Sequence, residues 1–584
     1  MKKLFMTVMI TSTIMILVMG VFGFIMYQKK KKIQVVEDAK AQQELDILTY
    51  GMEKISIAGE RVIDLPITVE HPSITSVYFG EYTDSQIKNI QHKKKKNLYD
   101  FESPLWIWDA FGTNHLSLYT YFKTKQEAYV RYTIHVEDET IPDFTRSLCP
   151  GEEMKTTREH TYQIMGFVPG MTNYMIMELY DAKDQQITKK IYKIEVPALA
   201  SKATKKLQVS SGRSEQLVSN GLYAIFGKKN IWLYDNSGVL RGEIPIQKRG
   251  AQNIILEEGK LYYSIDPQTV VSVDAQGSVS QCYGLGKYRL YDKFMYNGYG
   301  QLWMLVTEQG KKNKSVKDTV ITLDLADKTV TALFSMDTLL PQMMKKAKKT
   351  NGKLDWIALT DLAQINSDEM VVSSAELSTM FKVVNVNSRK PRITYMIGRK
   401  EIWKKTDYRK KLLKLTANEE DQKKNEEDEK TRILKMESVE QDSYPPFGET
   451  WLEKATDDTL AEGQYYLKVW DSNYAESTSR PDIKWSNFNG VGNQKNKARF
   501  SYLKTYLVDE NAGTYTLMDK VKLTYTKKGG AALFYTDNHR IDTNGANGTY
   551  GEFDQNGKLI RKFTYDLDGV TMVTKLSFKQ FVFQ

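Results

Sequence analysis

From about residue 61 onward, hydrophobic and polar positions alternate in short runs closed by Asp, Asn, Gly or Pro. That two-residue period belongs to half-buried strands rather than helices. ITSVYFGEY, HLSLYTYFKT, EAYVRYTIHVED and the long run TYQIMGFVPGMTNYMIMELYDAKDQQITKKIYKIEV predict a β-sandwich over 61–198. Residues 199–216, ASKATKKLQVSSGRSEQL, are small, polar and basic, and read as a linker. Over 217–584 the pattern becomes a loose repeat of strand pair, strand, turn and closing strand. The turn recurs as YDNSGVL, VDAQGSV, DLADKTV, NVNSRKPR, VDENAGTY and FDQNGKLI, and most of these carry the Asp/Asn/Gly chemistry that joins antiparallel neighbours. Six such units of about 40 residues or more predict a six-bladed β-propeller. A densely charged stretch, 408–440, interrupts the rhythm between the fourth and fifth units and predicts an exposed insertion, helical in part or disordered.

Ahead of the strands, residues 4–27 carry no charge and are bracketed by Lys2, Lys3 and the lysine run 29–32. About 20 apolar residues span a bilayer. Residues 1–32 therefore predict a transmembrane anchor with its flanks, favoured over a cleaved signal peptide because no small-x-small site follows. Residues 33–60 are polar and helix-prone, and predict a stalk. The expected fold class is mainly β: an N-terminal transmembrane helix, a β-sandwich, then a six-bladed β-propeller.

Composition sharpens this picture at a few points. A 41% hydrophobic share with 35 tyrosines favours a folded, strand-rich body. The net charge of +10, from 82 Lys+Arg against 72 Asp+Glu, reads first as solvated faces and second as attraction to an anionic membrane or acidic glycan. No basic helix or aromatic-basic motif accompanies it, so no nucleic-acid partner is expected. Cys149 and Cys282 fall in different predicted domains, which excludes a disulfide framework and a Cys-based zinc site. No HxxH or HxH pair, Gly-rich phosphate loop or Ser/His/Asp set occurs, and no cofactor or metal is implied.

The segment GFVPGMTNYMIMELYDAKDQQ, which carries Tyr174, resembles the end of a fibronectin type III or Ig-like sandwich. A more specific likeness lies in GKLDWIALTDLAQINSDEMVVSSAEL, 352–377, and in PFGETWLEKATDDTLAEGQYYLKVWDSN, 446–473. These resemble the arylsulfotransferase (aryl-sulfate sulfotransferase) family, whose blades read Asp-Trp-x-His-x-Asn, a strand pair, then Ser-Ser-Arg, and later Gly-Gln-His. The resemblance implies cofactor-free transfer of sulfate from a phenolic ester to a phenolic acceptor through a histidine nucleophile, with His, Asn and Arg holding the sulfuryl oxygens. Such chemistry needs an unprotonated nitrogen nucleophile and fixed donors where charge spreads. Here Asp355 and Trp356 are kept, but Ala358 stands at the His position and Thr360 at the Asn position. Ser373 and Ser374 are kept, with Ala375 at the Arg position; Gly448, Glu449 and Thr450 stand for Gly-Gln-His. The family's upstream histidine falls near Ala251 or Gln252.

The histidine count does not depend on register. Of His71, His92, His115, His135, His160 and His539, only His539 lies within the predicted propeller. Strands alternate in direction, so the entry to a first strand and the exit of a second share a rim. Ala358 and Ala375 therefore share one, while His539, in a turn between first and second strands, sits on the opposite rim and reads as a solvated turn residue. The loop 471–497, with Tyr474, Arg480, Trp485 and Phe488, emerges on the rim of the alanines. With Lys248, Arg249, Thr360, Ser374 and Thr450 it predicts a hydroxyl-rich, mildly basic mouth suited to an anionic, phenolic or glycan ligand, with no catalytic residue intact. Three readings follow: a membrane-anchored binding or scaffolding propeller impaired in sulfate transfer, a divergent active sulfotransferase using Thr450 or a tyrosine, or a cell-surface adhesion or envelope module. The resemblance places the globular part outside the cytoplasmic membrane; oligomeric state stays open.

Overall fold

The computed structural model describes residues 54–577 apart from 71, 149–155, 202, 417–444, 478, 486–487, 489–490, 494–496 and 536–537. The expected anchor, most of the stalk, and the charged insertion beyond 416 lie outside the described residues. Among those described, no helix is long and apolar enough to cross a membrane. The described end of the stalk, 54–60, is coil and turn rather than helix.

The first domain is organised by one long strand, Leu118–His135. Its N-terminal half pairs with Leu105–Trp108 and Thr157–Ile164, and its C-terminal half with Phe144–Leu148 and Met171–Tyr180. One strand thus serves both layers of the sandwich. HLSLYTYFKT and EAYVRYTIHVED, expected as separate strands, are continuous because the polar residues 123–127 shift register without reversing the chain. The expected strand ITSVYFGEY is instead a helix, Ile74–Phe79, capped by Ser73, whose Oγ accepts from the Ser76 N–H at 3.1 Å. Its apolar residues suit a strand by propensity, but burial of Val77 and Tyr78 against the domain junction decides the outcome. A second helix, Tyr82–Lys96, follows.

Six sheets of at least four strands form the propeller, antiparallel throughout except where Lys414–Thr416 joins blade five as a parallel edge strand. The recurring turns join third to fourth strands: in YDNSGVL, Asp235 Oδ1 accepts from Ser237 N and Val239 N, and Gly238 takes φ 74°. The ring closes twice. Thr574–Ser577 supplies the innermost strand of blade one against Gly221–Phe226, and Gln208–Ser211 the outermost strand of blade six against Leu559–Thr564. The segment expected as a linker therefore contains a strand of the propeller, unreadable locally because its partner lies about 350 residues away in the chain. The sandwich docks on the outer edges of blades one and two, where Tyr78 Oη donates to Pro245 O at 3.0 Å and Thr113 Oγ1 to Gly277 O at 2.6 Å.

Candidate functional site: the propeller mouth

In blade four the first strand is Leu359–Asn366 and the second Glu369–Ser374. Ala375 N donates to Ala358 O at 3.2 Å, so the two positions meet on one rim. Ala358 holds φ 42°, a conformation costly for a residue with a Cβ, and is almost buried. Ser374, expected to line a pocket, is fully buried: its Oγ donates to Ile357 O and accepts from Leu377 N at 3.2 Å. It tightens the elbow and does not face the mouth.

The other positions form a ring of side-chain to backbone bonds between neighbouring blades. Thr360 Oγ1 donates to Glu449 O at 2.7 Å, joining blade four to five, and Thr450 Oγ1 donates to Gly530 O at 2.6 Å, joining five to six. Thr543 Oγ1 of blade six accepts from Val573 N of blade one at 3.0 Å. Gln252 Nε2 donates to Gly569 O at 2.9 Å while its Oε1 accepts from Thr571 N at 3.0 Å, tying blade two to one. Asn253 Nδ2 reaches Phe294 O at 2.7 Å, and Tyr291 Oη reaches Leu359 O at 2.8 Å, which completes the circle. The roles of Asn253, Tyr291 and Thr543 had no sequence signal, since each partner is a backbone group on the next blade.

The charged groups near the mouth are also largely engaged. Half-buried Arg249 donates to Asp568 O at 3.0 Å and Phe226 O at 3.2 Å, and burial pulls its guanidinium below the usual value. Lys248 is exposed. Lys317 pairs with Asp355 at 3.1 Å and Lys293 with Asp361 at 2.8 Å. Burial, reinforced by Asp361, raises the neighbouring Asp292 to about 7. Glu449, beside Thr450, is fully buried, and neither carboxyl oxygen finds a hydrogen-bond partner among the described residues. Burial holds it well above the usual carboxylate range.

The loop after blade five's second strand folds over blades four and five. Ser477 and Ser479 donate to Glu376 Oε2, the latter at 3.2 Å. Arg480, expected on the pocket rim, is buried in a fork to Asp482 at 2.8 and 2.7 Å with Met343 Sδ at 3.9 Å. Trp485 Nε1 donates to Arg480 O at 3.2 Å. Both brace the loop from within, because its local Asp and backbone carbonyl satisfy them better than solvent would. Tyr474 is half-buried, with Lys527 5.8 Å from its ring centre. Phe447 and Phe488 meet edge to face at 4.9 Å, and the Arg399 guanidinium lies 4.3 Å over Phe447.

The described histidines lie elsewhere. His115 N bonds to Glu243 O on the outermost strand of blade one, and its Nδ1 sits 2.6 Å from Asp109 Oδ2. His92, His135 and His160 belong to the sandwich domain; His71 is outside the described residues. His539 occupies the turn on the opposite rim but is not solvated: it is buried, with Nδ1 2.8 Å from Glu552 Oε1 and Nε2 3.2 Å from Gln216 Oε1. Glu552, also bound by Lys575 and Tyr223, draws it into the closure between blades six and one. Among the described residues, no group of three or more His, Cys, Asp or Glu is placed to hold a metal.

Comparison with known proteins adds two family matches. The family described as "Arylsulfotransferase (ASST)" matches residues 208–579, and "Arylsulfotransferase Ig-like domain" matches 105–197. No curated protein matches. Among solved structures, the chain is similar to virginiamycin B lyase from Staphylococcus aureus at 10% identity, covering 62% of this chain and 89% of that one, TM-score 0.28. It is also similar to an auxiliary nutrient binding protein from Bacteroides thetaiotaomicron at 8% identity, 77% and 86% coverage, TM-score 0.28. At such scores the likeness carries no argument.

Proposed function

The chain belongs to the arylsulfotransferase family, with an Ig-like domain ahead of its propeller, and from that premise we propose that it has lost histidine-mediated sulfuryl transfer and works as a membrane-anchored, extracytoplasmic binding or scaffolding propeller. One observation carries the reading. The Thr450 hydroxyl, at the position where the resemblance puts the nucleophile, donates to Gly530 O at 2.6 Å. A hydroxyl whose proton points at a backbone carbonyl is not aimed at a base that could take it, and an unactivated alcohol is a poor nucleophile at neutral pH. The remaining vacated positions support the same reading: Ala358 and Ala375 carry no polar group, and Thr360 joins two blades. What such a mouth offers a ligand is recognition, through exposed Lys248 and the half-buried Tyr474, for anionic, phenolic or glycan chemistry.

The test is incubation of the purified chain with a chromogenic aryl sulfate and a phenol acceptor. No phenol release above the buffer rate is expected. Turnover that disappears in Thr450→Ala would overturn the proposal and favour a divergent active enzyme.

A further inference from the structure

A cavity of about 490 Å³ opens between blades four and five, on the rim opposite the mouth. Its lining includes Glu369 and Lys382 of blade four, Glu510 of blade five, and the segment 410–414 that runs between the blades. We propose that this cavity is a second binding site, for a hydroxylated oxyanion of sugar size such as a sugar sulfate or sugar phosphate.

The floor is built and fixed. Lys382, only 3% exposed, pairs with Glu369 at 2.7 Å and with Glu510. Tyr465 Oη donates to Glu510 Oε1 at 2.8 Å and shares a hydrogen bond with Tyr395 Oη. Lys382 pairs with both carboxylates directly and Lys454 balances them from close by, so the floor is near neutral and rich in acceptors. The side chains of Glu369 and Glu510 stay 29% and 27% exposed at the cavity they line. Carboxylates so placed suit hydroxyl donors.

The walls have the opposite character. Arg392, Lys410 and Lys414 are exposed at the same cavity, and among the described residues no ion pair engages them. Lys411 donates to Ile393 O at 2.7 Å, which anchors the wall. Three cations that make no ion pair among the described residues thus surround a floor that already carries its own counterions. A ligand with hydroxyls at one end and a sulfate or phosphate ester at the other satisfies both halves, and the volume falls within the range of small-molecule sites.

The experiment is calorimetric titration of the purified full-length chain with glucose 6-sulfate, glucose 6-phosphate, glucose and inorganic sulfate. At least one ester is expected to bind, tenfold or more tightly than glucose or inorganic sulfate, and the preferred ester identifies the source chemistry. The Arg392→Glu, Lys414→Glu double variant, altered only at exposed positions, is expected to weaken binding at least tenfold without lowering the melting temperature. Lys125→Glu, an exposed position of the sandwich, is expected to leave it unchanged. No binding of either ester at millimolar concentration, equal affinity for inorganic sulfate, or loss of binding in Lys125→Glu instead would each overturn the proposal.

Discussion

Glu449 shows how a single side chain at the mouth registers as a cost. Its carboxyl is fully buried, without a hydrogen-bond partner among the described residues, opposite Asp471 in the strand register. Burial comes first and the Asp471 charge adds to it, so the group stays protonated in the fold while the unfolded chain ionises near 4.5. The folded state then holds the extra proton. The protein is least penalised below pH 4.5 and loses stability as pH rises above it. Glu449→Gln, which keeps the shape and removes the ionisable group, is expected to raise the melting temperature at pH 7, and by progressively less toward pH 4.5. Thermal melts of both proteins across that range check this; a pH-independent difference would contradict it. His160 works in the other direction. It is buried, stacks on Phe122 at 4.6 Å and shares hydrogen bonds with Tyr162 Oη at 2.9 Å and Thr124 Oγ1 at 3.2 Å. Burial brings it down to about 4 from 6.5. A neutral imidazole is therefore part of the fold, and its contribution is lost as pH falls from 6.5 through 4. An NMR titration is expected to place the His160 midpoint near 4, and a midpoint near 6.5 would refute the assignment.

At the scale of elements, the closing strand Gln208–Ser211 depends on a glycine that follows it. Gly212 N donates to Ile560 O at 2.9 Å, and a Cβ added there would lie 1.8 Å from Leu559 O, a backbone atom that cannot step aside. Gly212→Ala is expected to cost roughly 1–3 kcal/mol by pushing the strand off blade six, whereas Gly284→Ala, with nothing within 4 Å and no positive φ, leaves the melting temperature nearly unchanged. Equal melting of the two variants would show that the strand does not latch the ring. This same element marks where the sequence stops being readable. Turn chemistry is local, so YDNSGVL or FDQNGKLI announces a blade's outer hairpin. The closing strand's partners come from the far end of the chain, so LQVSS reads as linker. The mouth divides likewise: the shared rim of Ala358 and Ala375 follows from strand alternation alone, but the bonds of Gln252, Tyr291 and Thr360 to carbonyls on other blades have no local trace. The Ile74–Phe79 helix reads as a strand in sequence because its apolar residues fit either period and only the surface they meet decides between them.

Across the whole molecule, the two domains share one core. Tyr78, Trp108 and Phe144 of the sandwich belong to the same hydrophobic cluster as Leu233, Tyr263 and Tyr550 of blades one, two and six. Arg241, fully buried on blade one, holds Asp235 at 2.7 Å and donates to Gly166 O and Pro142 O of the sandwich, each at 2.8 Å. Losing the guanidinium leaves one oxygen of a buried carboxylate without its partner and takes a donor from two carbonyls of the sandwich at once. Breaking a buried pair by removing one partner costs about 3–5 kcal/mol, and here the cost falls on the surface that joins the domains. If the core is continuous, the sandwich and propeller unfold together, and calorimetry of the native chain gives one transition. Arg241→Ala is then expected to lower that single transition by several degrees. If the sandwich instead melts first and leaves the propeller's transition where it was, the domains are merely adjacent, and the sandwich would be an independent module carried beside the ring rather than part of what holds it closed.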